Sequence, residues 1–346
     1  MLFAEILHHE KRILITKLFS FQAFKISSAK MNTLVRNGTV SNTTVTFSEF
    51  LHQYPRGVYT AAKTLKQKAI YDLSSHVRRL VDNSSAMIEM QSNEVKNKSF
   101  RFLNKISFDT LYAIVKADVS LGLRNALLNF GERQLPQEHL QEFIVTLLLS
   151  WNQPDELTPE NGFDLYTFIR PAYVVPNTIQ VEIWQAYRSN PTLKDSLWAS
   201  TRRAIAAKLS SDSAEAVMMQ SDGCITEGIS SNFFVIQDNK LYTAPDDLVL
   251  NGLVRKHVLE YCAEEGISVV MECPKVDAIH KWDCCFISSS NRIVIPIHSI
   301  RVPERMESAC FNEKQCEWIA SMALRVRDLL VAAAEPISSS DPELSS

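Results

Sequence analysis

The stretch Thr226-Glu227-Gly228-Ile229-Ser230-Ser231-Asn232-Phe233-Phe234 restricts the fold of this chain more than any other. A carboxylate, a glycine, two serines and an asparagine run straight into an apolar strand, Phe233-Phe234-Val235-Ile236, which a turn at Asp238-Asn239 closes. A buried strand with that much hydrogen-bonding capacity at its head must set it against something polar, because unpaired buried polar groups cost free energy. A carboxylate fixed on a rigid strand suits a protonated heterocyclic nitrogen. Small hydroxyl residues suit a phosphate or a carboxylate. Motif alone leaves a second reading open, a polar loop with a solvated Glu227.

The rest of the chain has room for two cores around that strand, with 346 residues that are 46% hydrophobic and 22% charged. A net charge of −3 with no basic run argues against nucleic acid as the main partner. No apolar run is long enough to span a bilayer. The seven cysteines have no metal-ligand spacing and read as reduced thiols, with the adjacent pair Cys284-Cys285 in an apolar strand. The histidines His76, His257, His280 and His298 are scattered without ligand spacing, so no metal site is expected.

Residues 1–31 are a basic, roughly amphipathic extension set apart from the fold. Cytoplasmic residence is the expectation, with a mitochondrial or plastid address as the alternative if residues 1–30 are a transit segment. From Thr33 the pattern becomes strand-like, with a hairpin signal at Asn37-Gly38. Gly57–Leu65 and Ala69–Leu73 read as a second hairpin, and Ser74 or Ser75 is expected to cap a helix carrying His76, Arg79 and Leu80 on one face. A long helix over Phe108–Phe130, a buried strand over Glu142–Trp151, a charged loop over 152–161 and a strand over Phe163–Val175 follow. Pro171, Pro176 and Asn177 mark a boundary, giving a small domain over 32–172 and a larger one over 173–335. In the second, strands at Ile179–Ile183, Glu215–Met219, Cys224–Thr226, Phe233–Ile236, Lys240–Tyr242, Val269–Glu272, Cys285–Ile287 and Ile293–Ile297 alternate with helices over about 199–209 and up to Glu265. A C-terminal helix spans about 313–334, and the Ser/Pro/Glu tail over 336–346 is expected to be disordered.

Three further features join Glu227. Arg79 offers a bidentate fork suited to phosphate, although a helical Arg is more often a surface ion-pair residue. Gly252-Leu253-Val254 stands at a helix N-terminus, where free backbone N–H groups favour an anion. Ser288-Ser289-Ser290 ends a buried strand with hydroxyl donors. With Glu227 these outline an incomplete site for a phosphorylated heterocycle.

At these residues the chain resembles the class IV aminotransferases, the fold type IV pyridoxal-phosphate enzymes that include branched-chain aminotransferases, D-amino-acid transaminases and aminodeoxychorismate lyases. The resemblance runs from about Gly57 to Ile300. It rests on Glu-Gly-x-Ser-Ser-Asn-x-Phe, then Leu-Tyr-Thr-x-Pro, then Leu-x-Gly-x-x-Arg. It implies a mixed α/β, two-domain fold, with a smaller N-terminal α/β domain and a larger C-terminal domain built on a barrel-like mixed sheet. It also implies pyridoxal 5'-phosphate as cofactor, amino-acid and 2-oxo-acid substrates, and a homodimer. By the same resemblance, Glu227 would keep the pyridine nitrogen protonated. Arg79, the amides of Leu253 and Val254 and the hydroxyls of Ser289 and Ser290 would hold the phosphate, and Ser231 and Asn232 would line the site.

Family spacing between the Schiff-base lysine and the Glu points to Lys194, whose neighbours Leu193 and Trp198 suit desolvation of an amine. Lys208 is the fallback. Among first-domain residues, Tyr59 and Arg170 are the substrate-side candidates, Arg170 as a cation at the domain junction, with Lys63 and Trp151 behind them. Two departures stand out: Asp195-Ser196-Leu197-Trp198 replaces the usual Asn-Tyr after the lysine, and Val254 stands where Thr is common. Transamination is therefore the first reading. A lyase releasing pyruvate and an inactive relative serving as a binding or regulatory protein are the alternatives.

Overall fold

The computed structural model describes residues 32–90, 107–131, 142–151 and 163–337; the N-terminal extension and the charged loop after Trp151 lie outside them. The Asn37-Gly38 turn joins β1 (Asn32–Arg36) to β2 (Thr39–Thr43), and both turn residues take the positive φ that this tight hairpin requires, 46° and 79°. β3 (Val58–Leu65), β4 (Ala69–Tyr71), β5 (Phe143–Ser150) and β6 (Asp164–Pro171) extend an antiparallel sheet. A last strand from the C-terminus, β16 (Ala334–Pro336), completes it in the order β16-β4-β3-β5-β6-β1-β2.

Every residue of β5 is buried because helices cover both faces of this sheet. On one side α2 (Leu73–Glu89) and α3 (Phe108–Gly131) set Val77, Leu80, Leu111 and Val115 against Val58, Val145 and Leu147. On the other, α1 (Phe47–Gln53) sets Phe50 and Leu51 against Tyr59, Leu148 and Phe168. The short α1 is held by a capping box that the sequence displays as Thr46-Phe47-Ser48-Glu49: Thr46 Oγ1 accepts the Glu49 N–H (3.3 Å), and Glu49 Oε2 accepts the Thr46 N–H (2.7 Å).

The second sheet comprises β7 (Ile179–Gln185), β8 (Ser213–Met219), β9 (Ile225–Gly228), β10 (Asn232–Gln237), β11 (Lys240–Tyr242), β12 (Val269–Val270), β13 (Cys284–Ser289) and β14 (Ile293–Val302), with β15 (Glu307–Cys310) paired to β14. Its pairings are mixed: β14–β7, β7–β8 and β11–β12 are parallel. The path β10-β13-β14-β7-β8-β9 closes on itself where Glu227 of β9 pairs with Asn232 of β10. The expected barrel-like sheet is therefore present, and its seam lies in the stretch that opened the sequence. The connecting helices are α4 (Leu197–Ala206), α5 (Leu253–Glu264) and α6 (Glu313–Ala332).

Two expectations are corrected. Neither Ser74 nor Ser75 caps α2; Asp72, in the left-handed region at φ 49°, occupies that position without a side-chain bond. The Glu335 carboxylate serves instead, accepting the Ser74 N–H (2.7 Å) and the Ser74 hydroxyl (2.6 Å). Glu335 is available because β16 pairs with β4, so the last strand of the expected second domain belongs to the first sheet. The expected disordered tail also begins in ordered chain: Pro336 lies in β16, and Ile337 is buried with its N–H donated to the Lys68 carbonyl (3.0 Å).

Candidate active site

The barrel seam opens onto a cleft lined from both sheets. Glu227 forms part of its floor, with 4% of its side chain exposed. Oε2 accepts the Leu250 N–H (3.0 Å), and Oε1 accepts from Arg188 Nη1 (3.4 Å). Burial pushes this carboxyl above its ordinary range, while the Arg188 charge and the Leu250 amide pull the other way. One strand further on, Asn232 Nδ2 donates to the Leu250 carbonyl (2.7 Å), so the carboxylate and its neighbour fix both polar groups of one residue.

Lys194 enters the cleft from a segment clamped to the first sheet. The Tyr59 N–H donates to its carbonyl (2.9 Å), its own N–H donates to Asn83 Oδ1 (2.8 Å), and Val58 and Asp195 form an isolated bridge. The Asp195-Ser196 departure strengthens this clamp: Asp195 pairs with Arg56 and accepts the Leu197 N–H (2.9 Å), and Ser196 Oγ accepts the Gly57 N–H (3.1 Å). Gly57 is required there, since a Cβ would meet the Leu149 carbonyl oxygen at 2.0 Å. The residue is half-buried, and its amine lies 5.2 Å from the Tyr59 ring centroid. Desolvation lowers its pKa well below the usual lysine value, and the charges of Arg79, Arg188 and Arg202 lower it further. Both effects favour the free amine, the form that attacks a carbonyl carbon and accepts a proton.

The opposite end of the cleft is built for an anion. Arg79 reaches it from α2 with one protein acceptor, the Asn251 carbonyl, and burial lowers its pKa to about 10. Leu253 and Val254 begin α5, whose N-cap Gly252 makes no side-chain capping bond, so the first-turn amides face the cleft uncapped. Ser289 and Ser290 close this end from the last turn of β13. The chain passes Asn232 closely at Gly252, where a Cβ would come within 2.1 Å of Asn232 Oδ1.

Of the residues singled out in the sequence, Tyr59, Arg79, Lys194, Glu227, Ser231, Asn232, Leu253, Val254, Ser289 and Ser290 all line this cleft. Arg170 does not. Its guanidinium donates to the Pro171 carbonyl (3.2 Å), lies against Phe47 and Tyr173, and lines a separate groove beside Val175 and Arg292. Leu193 is buried with α2 and α3 rather than in the cleft, leaving Trp198 as the aromatic wall. Lys208 is exposed outside the cleft, near Trp184.

Sequence reasoning missed two arginines. Arg188, with 6% of its side chain exposed, holds Glu227, donates to the Leu193 carbonyl and lies 5.3 Å from the Trp198 ring centroid. Arg202 faces the cleft from α4 and donates to the Ile229 carbonyl (3.1 Å). Spacing gave no signal for Arg188, but an arginine six residues before a buried amine was there to be weighed.

The family profile for amino-transferase class IV matches residues 57–300. The chain belongs to the class IV aminotransferase family. Over 80% of this chain and 91% of its relative, the class IV aminotransferase is 22% identical to a branched-chain-amino-acid aminotransferase of Pseudomonas aeruginosa. It is 40% identical to a D-alanine aminotransferase of Bacillus licheniformis over 87 residues, a match spanning 25% of this chain and 30% of that protein. Its fold matches the branched-chain aminotransferase of Thermoproteus uzoniensis (TM-score 0.62, 14% identity, 89% of this chain and 100% of that one). It also matches that of Thermobaculum terrenum in its PLP form (0.60, 15%, 90% and 100%).

Pyridoxal 5'-phosphate is the cofactor of this family, and the cleft residues of this class IV aminotransferase fit it. Among the described residues, three buried polar atoms facing or flanking the cleft find no protein partner, Arg188 Nε, Ser231 Oγ and Ser288 Oγ. A carboxylate at one end and an arginine with uncapped helix amides at the other match the two poles of a phosphorylated pyridine. Arg79, Leu253, Val254, Ser289 and Ser290 would hold its phosphate, Glu227 its ring nitrogen, and Lys194 its aldehyde carbon.

Proposed function

We propose that this protein is a pyridoxal-phosphate-dependent aminotransferase that moves an amino group between an amino acid and a 2-oxo acid. The carrying observation is that a desolvated Lys194, a buried Glu227 and the Arg79 guanidinium share one cleft with the start of α5. When bound, the cofactor supplies an aldehyde that accepts amino groups and a cationic ring that accepts electrons from the substrate α-carbon. The chain's own part is to hold and move protons. Glu227, kept in place by Arg188 and the Leu250 amide, presents a carboxylate to the ring nitrogen and keeps a proton there. Lys194 Nζ takes the proton from the α-carbon of the amino donor and, in the second half-reaction, gives one to the α-carbon of the amino acid formed from the 2-oxo acid, which a desolvated amine on a clamped segment can do. Trp198 and Tyr59 keep bulk water from the amine.

The test is a panel of D- and L-amino acids with 2-oxo-acid acceptors, following keto-acid formation. Transfer that requires an acceptor, with turnover in Lys194→Ala below about 10⁻³ of wild type and loss of the visible cofactor band, supports the reading. Pyruvate release without any acceptor would replace it with the lyase reading. A protein that never develops the band would mark a non-catalytic relative.

The protein acts as a homodimer in this proposal. Tyr187 and Leu197 are exposed apolar side chains beside a wide groove that also reaches Trp198 at the cleft wall, a surface suited to cover by a second copy. Light scattering that returned a monomer mass at working concentration would remove this part of the proposal.

A further inference from the structure

Away from the cleft, the turn Ser221-Asp222-Gly223 and the head of β9 meet the segment that follows β12. Cys224 and Lys275 form an isolated antiparallel bridge, flanked by Ile225 N–H to Pro274 O (2.9 Å) and Val276 N–H to Gly223 O (3.1 Å). Two residues before Lys275, and so on the same face of this bridge as Cys224, stands Cys273, whose thiol neighbours the Cys224 sulfur; both cysteines are half-buried and unbridged. The surroundings of the two sulfurs differ. Lys275 Nζ lies 2.9 Å from Cys224 Sγ and 3.0 Å from Asp222 Oδ2, and the Cys224 S–H donates to Asp222 Oδ2 (3.2 Å). Cys224 thus has an ammonium against its sulfur and a carboxylate accepting its S–H. Cys273 has neither advantage: burial, and then the neighbouring Cys224 sulfur, push its thiol up, so it keeps its proton. The other described cysteines are not arranged this way; Cys262, Cys284 and Cys285 are buried and Cys310 is exposed.

We propose that Cys224 and Cys273 form a reversible redox pair, with Cys224 as the sulfur attacked by a peroxide and Cys273 as the resolving thiol. In the first step the Cys224 sulfur attacks one oxygen of hydrogen peroxide. An S–O bond forms, the O–O bond breaks, and the departing hydroxide takes the Cys224 thiol proton and leaves as water. In the second, the Cys273 sulfur displaces the hydroxyl from Cys224; the S–S bond forms, the S–O bond breaks, and the Cys273 proton leaves with the hydroxyl as water. Two thiols are oxidised by two electrons and one peroxide is reduced to two waters. The bond crosses from the strand that carries Glu227, three residues on, to the edge of the sheet at β12. This proposal does not depend on the amino-transfer reading, since neither sulfur lines the cleft.

The experiment treats the native, cofactor-loaded protein with graded hydrogen peroxide, alkylates the remaining thiols, and maps peptides by mass spectrometry without reduction. The expected product is a cross-linked peptide pair containing Cys224 and Cys273, two hydrogens lighter than its parts, which dithiothreitol restores to two alkylatable thiols. Cys273→Ser should stop the reaction at an oxidised Cys224, Cys224→Ser should leave Cys273 alkylatable, and Lys275→Gln should slow the first step severalfold. Folding of each variant is checked by its cofactor band. Over-oxidised Cys224 with Cys273 still free in wild type, or cross-links that appear only after unfolding, would overturn the pair. An unchanged rate in Lys275→Gln would overturn the assignment of Cys224 as the attacked sulfur.

Discussion

Replacing Arg188 with Leu isolates the electrostatics of the cleft floor. Both members of the Arg188–Glu227 pair are nearly inaccessible, at 6% and 4% side-chain exposure, so the substitution strands a carboxylate in a dry site. Breaking such a pair from one side costs about 3–5 kcal/mol, because the remaining charge is uncompensated. Glu227 has one escape, to take a proton. At pH 7 that costs about 1.36 kcal/mol for each of the roughly 2.7 pH units above the ordinary Glu value of about 4.3, a ceiling near 3.7 kcal/mol. Burial already raises Glu227 in the wild type, and removing Arg188 relieves that side chain's own desolvation, so the net loss lies below the ceiling. The sign of the pH dependence follows. A carboxyl raised in the folded state stabilises fully below its unfolded pKa, and that contribution is lost as pH rises toward the folded value. The stability gap between Arg188→Leu and wild type should therefore widen from pH 5 to pH 7, by up to about 2.7 kcal/mol. Urea unfolding at both pH values measures it, and adding Glu227→Gln should recover most of the loss at pH 7. A gap equal at the two pH values, or a double variant no more stable than Arg188→Leu, would refute the assignment of Glu227 as the stranded charge.

Three other substitutions test separate parts of the structure. Arg79→Leu should weaken cofactor binding by about 1.5–3 kcal/mol, the worth of a hydrogen bond to a charged group, read as a raised Kd in titration of the visible band. Gly252→Ala puts a methyl 2.1 Å from Asn232 Oδ1, so it should cost about 1–3 kcal/mol of stability and also raise the cofactor Kd by displacing the start of α5; an unchanged unfolding midpoint would show that the seam yields freely. Asp118, buried on α3 with Oδ2 unpaired, is pushed up to about 6 by burial against the pull of the Gly38 amide. Its protonated form stabilises below the unfolded value and that contribution is lost as pH rises through 6, so Asp118→Asn should raise the urea midpoint at pH 7 and leave it unchanged at pH 3.5.

What the sequence made legible follows from how local the controlling physics was. The Asn37-Gly38 hairpin, the β5 apolar run and the polar head of β10 are dictated within a few residues, and the structure has each where it was expected. Ten of eleven candidate site residues fall in one cleft because the family motif fixes strand, turn and helix start together. What failed was non-local. Ser74 reads as a helix cap, yet the carboxylate that satisfies this end of α2 comes from Glu335, brought back by a strand pairing with no short-range signal. Arg170 stands beside a proline at the sheet boundary, but its guanidinium meets Phe47, Tyr173 and the Pro171 carbonyl rather than the cleft. The chain's clearest departure, Asp195-Ser196, concerns attachment: both residues tie the lysine segment to the start of β3.

The charge in the cleft ties these pieces together. Arg79, Arg188, Arg202 and Lys194 gather around a single carboxylate, Glu227. Like charges this close in a dry site cannot all persist, and the group with the lowest intrinsic hold on its proton yields first. Arginine holds its proton in this range, so the pressure falls on Lys194, whose pKa is lowered first by burial and then by the Arg79, Arg188 and Arg202 charges. The remaining excess of positive charge still needs an anion. A phosphate dianion at the Arg79 end and a substrate carboxylate near Arg202 would meet it, while Arg188 keeps Glu227 anchored at the far pole. On the proposed reading the arginines would set both the affinity of the cleft for a doubly anionic ligand and the basicity of the Lys194 amine. Removing any one of them should therefore raise the lysine pKa and weaken anion binding together, a pairing that desolvation alone would not produce.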